Sequence, residues 1–185
     1  MHATLEQDKK QLLEILIRDA FFKEKVILSS GKSSDFYIDA RRVTLSAQGC
    51  FLCAKMILEL LKNEKVGAIG GPTLGADPLL GAIGVLSFQA KTPVNTFIIR
   101  KAPKPYGKQQ QIEGPLLDVK SNIVLIDDVA TTGKAFVQSL EVLKQMGINA
   151  RKAICIVDRG EGAREAIAQY GCELVSLFTL KDFPI

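Results

Sequence analysis

Short runs of β-branched and aliphatic residues recur along the chain at Val66–Gly70, Val94–Ile99, Ile123–Ile126, Ala153–Val157 and Leu174–Phe178. Apolar on consecutive positions, they predict strands buried on both faces of a sheet. Between them the apolar residues fall at helical spacing. Ser46 is placed to cap a helix running to about Lys62, Ala76–Phe88 reads as a Gly- and Ala-rich helix, Phe136, Val137, Leu140, Leu143 and Met146 share a helical stripe, and Ala163–Tyr170 forms another. Strands alternating with helices call for a parallel sheet with right-handed crossovers. Ahead of this repeat, Leu12, Leu13, Leu16, Ala20 and Phe21 predict an amphipathic helix within Leu5–Phe22. A short strand at Val26–Leu28, a Gly- and Ser-rich turn and a strand at Phe36–Asp39 follow and read as a hairpin. From Arg100 to about Asp118 periodicity is lost, and a loop that long in a compact domain is either functional or disordered.

Composition narrows the class. The 185 residues are 47% hydrophobic and 24% charged, which fits one compact domain. The longest mostly apolar stretch, Pro78–Phe88, is too short to span a bilayer and the start MHATLEQDKK is too polar for a signal peptide, so a cytoplasmic location is expected, with no membrane partner. A net charge of +4, not gathered into a basic run, favours a small polyanionic substrate over a nucleic-acid groove. Cys50 and Cys53 fall inside an apolar helical pattern with no second C-x-x-C, so they are read as buried thiols. The single histidine, His2, leaves no His-dependent triad. Chemistry in such a chain works by positioning and charge.

The stretch IVLIDDVATTGKA, Ile123–Ala135, concentrates that chemistry. It reads as a strand, an acidic pair at its carboxyl end (Asp127, Asp128), a small-residue loop and a helix start. In open α/β sheets ligands bind beyond the carboxyl ends of the strands, and a helix N-terminus there offers free N–H groups to a phosphate. Thr131, Thr132 and Gly133 suit such a cradle, whereas two carboxylates repel phosphate and instead accept hydrogen bonds from a sugar diol. Together they describe a ribose 5-phosphate site. No G-x-x-x-x-G-K-[ST] P-loop occurs. A second glycine-rich turn, Gly70–Gly75, is expected to break its strand ahead of a helix. Arg100, Lys101, Lys104 and Lys108 sit in the aperiodic loop, where they are either a solvated face or part of a site.

The central stretch resembles the PRPP-binding motif of the type I phosphoribosyltransferases, and the chain as a whole resembles their orotate-specific family. SSGKSSDFYIDARR is similar to that family's base-binding hairpin, GGPTLGADP to its pyrophosphate loop, RKAPKPYG to its lysine-bearing lid and VDRGEGAR to the strand end facing orotate. The resemblance implies a mainly parallel sheet flanked by helices, with a small N-terminal hood (about 1–45) on a PRPP-binding α/β core (about 46–185). It implies transfer of phosphoribose from PRPP to orotate, with Mg²⁺ as cofactor held mainly by PRPP oxygens and water, and no protein-only metal site. A homodimer with the lid shared across its interface, Lys101 reaching the neighbouring site, is implied too. By carry-over, Thr73, Leu74, Arg100, Lys101, Lys104 and Tyr106 contact PRPP. Asp127, Asp128, Val129, Ala130, Thr131, Thr132, Gly133, Lys134 and Ala135 hold its ribose and 5-phosphate, and Tyr37, Ile38, Thr131 and Arg159 hold orotate. Lys101, Lys104, Asp127 and Asp128 carry the catalytic roles. Tyr106 and Ser29 stand where many bacterial members have His and Lys, and the missing lysine leaves one PRPP contact in doubt. The competing readings are a purine phosphoribosyltransferase, which shares the central motif but has no use for an arginine matched to a substrate carboxylate, and a PRPP-sensing regulator.

Overall fold

The structure is a computed structural model that describes residues 4–27, 33–103, 111–115, 117, 118 and 120–185. Helix α1 (Leu5–Ala20) leads into two antiparallel ribbons, β1 (Phe21–Phe22) pairing with β4 (Tyr37–Ile38) and β2 (Val26–Ile27) with β3 (Ser33–Ser34). Then come α2 (Arg41–Thr44), α3 (Ala47–Leu61), β5 (Ala68–Pro72), α4 (Asp77–Gln89), β6 (Asn95–Ile99), β7 (Ile112–Glu113), β8 (Ile123–Ala130), α5 (Lys134–Gln145), β9 (Ala150–Asp158), α6 (Ala163–Ala168) and β10 (Glu173–Thr179), closed by a 3₁₀ turn at Leu180–Asp182. One sheet has the order β10-β9-β8-β5-β6-β7, parallel throughout except for β7 against β6.

The aliphatic run at the start of β8 explains the layering. Successive strand side chains point to opposite faces. Val124 and Ile126, with Ile154 and Ile156 of β9, join a core that includes Leu12 and Leu16 of α1, Ile57 of α3 and Leu79 and Ile83 of α4. Ile123 and Leu125, with Ala153 and Cys155, face Phe136, Leu140 and Leu143 of α5 and Ile167 of α6. Each fully buried Leu, Ile or Phe contributes about 1.5–3 kcal/mol. Capping adds local definition: Ser46 accepts from Gly49 N at the start of α3, and Thr4 and Gln7 form a reciprocal capping box on α1. Asp8 of α1 is buried and paired with Lys55 of α3, which ties the first helix to the core.

Chain order makes this geometry functional. From β5 the chain adds β6 on one side, returns to place β8 on the other, and continues outward to β9 and β10. The direction of winding therefore reverses between β5 and β8, the position where doubly wound sheets open a crevice beyond their carboxyl ends.

Several boundaries differ from the sequence expectation. Gly70 and Gly71 do not break β5, which runs through them to Pro72 because the Phe97 ring and the Ile126 carbonyl press against positions where only a missing side chain fits. β8 extends past the acidic pair to Ala130, since Val129 and Ala130 pair with Val157 and Asp158 of β9. Phe21 and Phe22 leave the first helix to pair with β4, so the expected single hairpin is two short ribbons. The aperiodic segment contains β7, held by two residue pairs to β6. Cys53 is fully buried as expected, whereas Cys50 is half-buried with its thiol on the Pro78 carbonyl. His2, Leu28 and Ser29 lie outside the described residues.

Candidate active site

Beyond the carboxyl ends of β5, β8 and β9 lies a cleft of about 500 Å³. Its floor is Asp127, Asp128 and Val129; Tyr37, Ile38, Asp39 and Arg41 come from the ribbon and α2, Thr73–Gly75 from the turn after β5, Lys101 from the end of β6 and Arg159 from the end of β9. Asp127, Val129, Thr131, Ala135 and Gln138 also line an adjoining hollow of about 250 Å³, whose wall is Ala130–Phe136. Gly133 stands at the N-cap of α5 with φ +79°, a conformation that glycine adopts without strain, and a Cβ there would stand 3.0 Å from Ala163 Cα. The Gly133 carbonyl accepts from Val137 N to begin α5, so the N–H groups ahead of Val137 lie free of the helix ladder at the hollow, as in an anion cradle.

Asp127 is nearly dry and Asp128 is half-buried. Asp127 is 7% exposed, its Oδ1 accepting from Asp128 N, while Asp128 Oδ1 accepts from Val129 N. Burial, then the charge of Asp128, pushes the Asp127 carboxyl well above the ordinary range, with Asp77 adding to it. Burial likewise raises Asp128, opposed by the Val129 N–H and by Arg41. Arg41 is itself held by Asp39 at 3.4 Å, which raises its pKa. Gly75 abuts the pair: a Cβ there would stand 2.1 Å from Asp127 Oδ1 and 2.6 Å from Asp128 Oδ1. The Thr73–Leu74 peptide is cis, and Thr73 is anchored at both ends, its N–H donating to Ile99 O and its hydroxyl to Asp77 Oδ2. Under-compensated negative charge therefore faces a cleft whose opposite wall carries Lys101 and Arg159. A larger recess of about 770 Å³ between α3, α4 and the start of β6 is apolar, and much of its ionic rim is paired within the chain, Lys55 with Asp8, Lys62 with Glu59 and Glu64 with Lys152. It lacks the converging polar groups that mark a site of chemistry.

Comparison with known proteins places this arrangement. No protein-family model matches the chain. An orotate phosphoribosyltransferase from Synechocystis sp. is 38% identical over 180 residues, covering 97% of this chain and 90% of that protein. The orotate phosphoribosyltransferase of Mycobacterium tuberculosis, in a crystal structure with Fe(III) dicitrate, superposes with a TM-score of 0.80 at 31% identity, covering 95% of this chain and 98% of its own. The chain belongs to the orotate phosphoribosyltransferase family. A second crystal structure of the Mycobacterium enzyme, in complex with PRPP, covers the same shares of both chains at 29% identity with a TM-score of 0.77.

Set against this family's signature segments, most of the expected residues converge. Tyr37, Ile38, Thr73, Leu74, Lys101, Asp127, Asp128, Val129, Thr131, Ala135 and Arg159 line the cleft, and Ala130, Thr132, Gly133 and Lys134 complete the hollow. Arg100 does not join them. Its guanidinium lies 3.6 Å from Glu113 and its backbone bonds Gln111, because the antiparallel β7, invisible to the periodicity, lies alongside this end of β6. Lys101 lines the cleft of its own chain. Lys104, Tyr106 and Lys108 lie outside the described residues. Sequence reasoning missed Asp39, Arg41, Asp77 and Gln138. Gln138 had a visible signal, a polar residue one turn into the helix after the phosphate loop; the other three become site residues only through the tertiary approach of their elements.

Proposed function

We propose that the chain transfers the 5-phosphoribosyl group of PRPP to orotate, giving orotidine 5′-monophosphate and pyrophosphate. The observation that carries this reading is Arg159, whose side chain is 4% exposed at the cleft and whose backbone N–H donates to Ala130 O, at the end of the PRPP-motif strand. A buried guanidinium beside the phosphoribose loop matches a base bearing a carboxylate and leaves a neutral purine nothing to offset its desolvation. In the step itself the C1–O bond to pyrophosphate breaks with its electron pair on the leaving group, a bond from C1 to a ring nitrogen of orotate forms, and that nitrogen releases its proton. Catalysis then rests on holding nitrogen, C1 and leaving oxygen in line and on balancing a departing polyanion. Thr131–Ala135 cradle the 5-phosphate, Asp127 and Asp128 accept from the ribose hydroxyls, Thr73 and Leu74 steady the pyrophosphate, and Lys101 with the lid lysine Lys104 meets its charge.

Mg²⁺ fits this site as a guest of the substrate. Among the described residues no cluster of three or more His, Cys, Asp or Glu is placed to hold a metal alone, whereas the under-compensated Asp127 and Asp128 welcome a cation carried in by PRPP oxygens. When bound, it supplies charge neutralisation for the leaving pyrophosphate. Exposed Leu45 and Leu74, which share an open hollow with Pro78, and exposed Val85 and Phe88 along α4 support a homodimer whose interface borders the site. In this reading the first 45 or so residues act as a hood over the cleft. Among the described residues no helix is long and apolar enough to cross a membrane, which is consistent with a cytoplasmic enzyme.

A turnover panel with PRPP and Mg²⁺ against orotate, uracil, adenine, guanine, hypoxanthine and xanthine tests the reading. Product from orotate alone is expected, and none in excess chelator. Turnover of a purine, or of no base at all with retarded migration of DNA or RNA, would overturn it.

A further inference from the structure

Arg159 is held from several sides. Its Nε donates to Glu161 Oε1 at 2.9 Å, its Cζ lies 5.1 Å from the centroid of the Phe36 ring, and its Nη2 has only a long 3.5 Å contact with Ser34 Oγ. Nη1 has no hydrogen-bond partner among the described residues. A guanidinium offers a carboxylate two bidentate edges, the side edge of Nε with Nη2 and the end edge of Nη1 with Nη2. Glu161 occupies the first.

The turn that delivers Glu161 is built for this return. Gly160 and Gly162 adopt φ of +67° and +102°, which folds the chain back between β9 and α6. Asp158 locks that turn, accepting from Gly160 N at 2.9 Å and from Arg164 Nε at 2.8 Å, while Arg164 also donates to Leu174 O and Ser176 Oγ of the last strand. Glu161 is itself 19% exposed, against 4% for the Arg159 side chain, so the pair is largely shielded from water. A carboxylate placed there for surface solubility needs neither the strap nor the burial.

We infer that Glu161 is a positioning residue for substrate selection: by taking the Nε edge of Arg159 it leaves only the end-on Nη1/Nη2 edge for a substrate carboxylate, and so sets the plane in which the base is held. This rests on the orotate reading above and deepens it. A base carboxylate received end-on must lie in line with the guanidinium, which fixes the direction of the ring nitrogen relative to C1. Without Glu161, Arg159 has two edges to offer and the base two poses, one of them unproductive. The role needs an acceptor at this position, not a negative charge.

Two variants separate positioning from charge. Glu161→Gln keeps an oxygen acceptor for Nε and should stay within about three-fold of wild type in kcat/KM for orotate. Glu161→Ala should lose about ten- to hundred-fold, the scale of a misplaced reacting group, while PRPP affinity without base is unchanged. An independent readout is the ¹⁵Nε–¹H resonance of Arg159, which should be protected from solvent exchange in wild type and Glu161→Gln and exchange rapidly in Glu161→Ala. A Gln variant as impaired as the Ala variant, an Ala variant within three-fold of wild type, or an Nε–H equally protected in all three would overturn the inference. Wild type that fails to turn over orotate while its Nε–H depends on Glu161 would instead remove the orotate reading and leave the arginine–glutamate positioning standing.

Discussion

Two carboxyl groups side by side resist double ionisation, and here burial favours the protonated form of both Asp127 and Asp128, with the charge of Asp128 pushing Asp127 further up. The folded chain therefore binds more protons here than the unfolded chain, whose aspartates titrate near about 3.9. Stability from this pair is greatest at low pH and falls as pH rises from about 4 through the raised folded range. Asp127→Asn with Asp128→Asn should flatten that slope and raise the melting temperature of the ligand-free protein at neutral pH, by about 2–4 °C for each kcal/mol relieved. The same variant should bind PRPP much more weakly by calorimetry. A lower melting temperature with PRPP binding intact would show that the pair is structural. Arg159 is the opposite case, a buried guanidinium at the cleft that is paired with Glu161. Removing one partner of a buried charge pair costs about 2–5 kcal/mol. Arg159→Ala should therefore lower kcat/KM for orotate by roughly thirty-fold to several thousand-fold at about 1.4 kcal/mol per decade, with PRPP affinity in the absence of base nearly unchanged. An equal loss in PRPP binding would place this arginine on the phosphates instead.

At the scale of elements, the site is made by three strand ends that approach closely enough to share it. The turn after β5 lies against the end of β8 at Gly75, where an added Cβ meets both aspartate carboxylates at well under contact distance. Backbone on one side and a buried pair on the other leave little room to yield. Gly75→Ala should thus reduce turnover at least about ten-fold, because a displaced ribose acceptor acts like any misplaced reacting group. Far-UV circular dichroism should stay that of the wild type, since the clash lies beyond the sheet core, and a variant with full activity would show that the turn moves freely. The end of β9 meets the end of β8 through Arg159 N on Ala130 O, so Arg159 and the loop after Ala130 keep one registration. Glu161 and Arg164 complete it from α6 and its approach.

For the whole molecule, Lys101 lines the cleft of its own chain, and Leu45, Leu74, Val85 and Phe88 are large apolar side chains left exposed. Mixing Lys101→Ala chains with Asp127→Asn, Asp128→Asn chains should then restore no activity after verified subunit exchange, since each hybrid site keeps its own defect. Recovery would return Lys101 to a role across the interface. Leu45→Glu with Val85→Glu should shift the sedimentation of a homodimer to that of a monomer. A dimer unchanged by both would place the interface elsewhere. Much of this was legible in the residues, because strand and helix periods report burial directly: the continuous apolar run through Ile123–Ile126, the Ser46 cap, the acidic pair and the Thr131–Gly133 loop are local patterns with local causes. Other features depend on residues far apart in the chain. Gly70 and Gly71 look like strand breakers until Phe97 and the Ile126 carbonyl are packed against them. The pairing of Arg100 with Glu113 depends on β7, which no local pattern announces. Arg159 is expected at the site from its segment, but that Glu161 pairs with it there depends on the turn between β9 and α6. Periodicity encodes which face of an element is dry, but which elements meet, and what a charge then faces, is set by the free energy of the assembled fold.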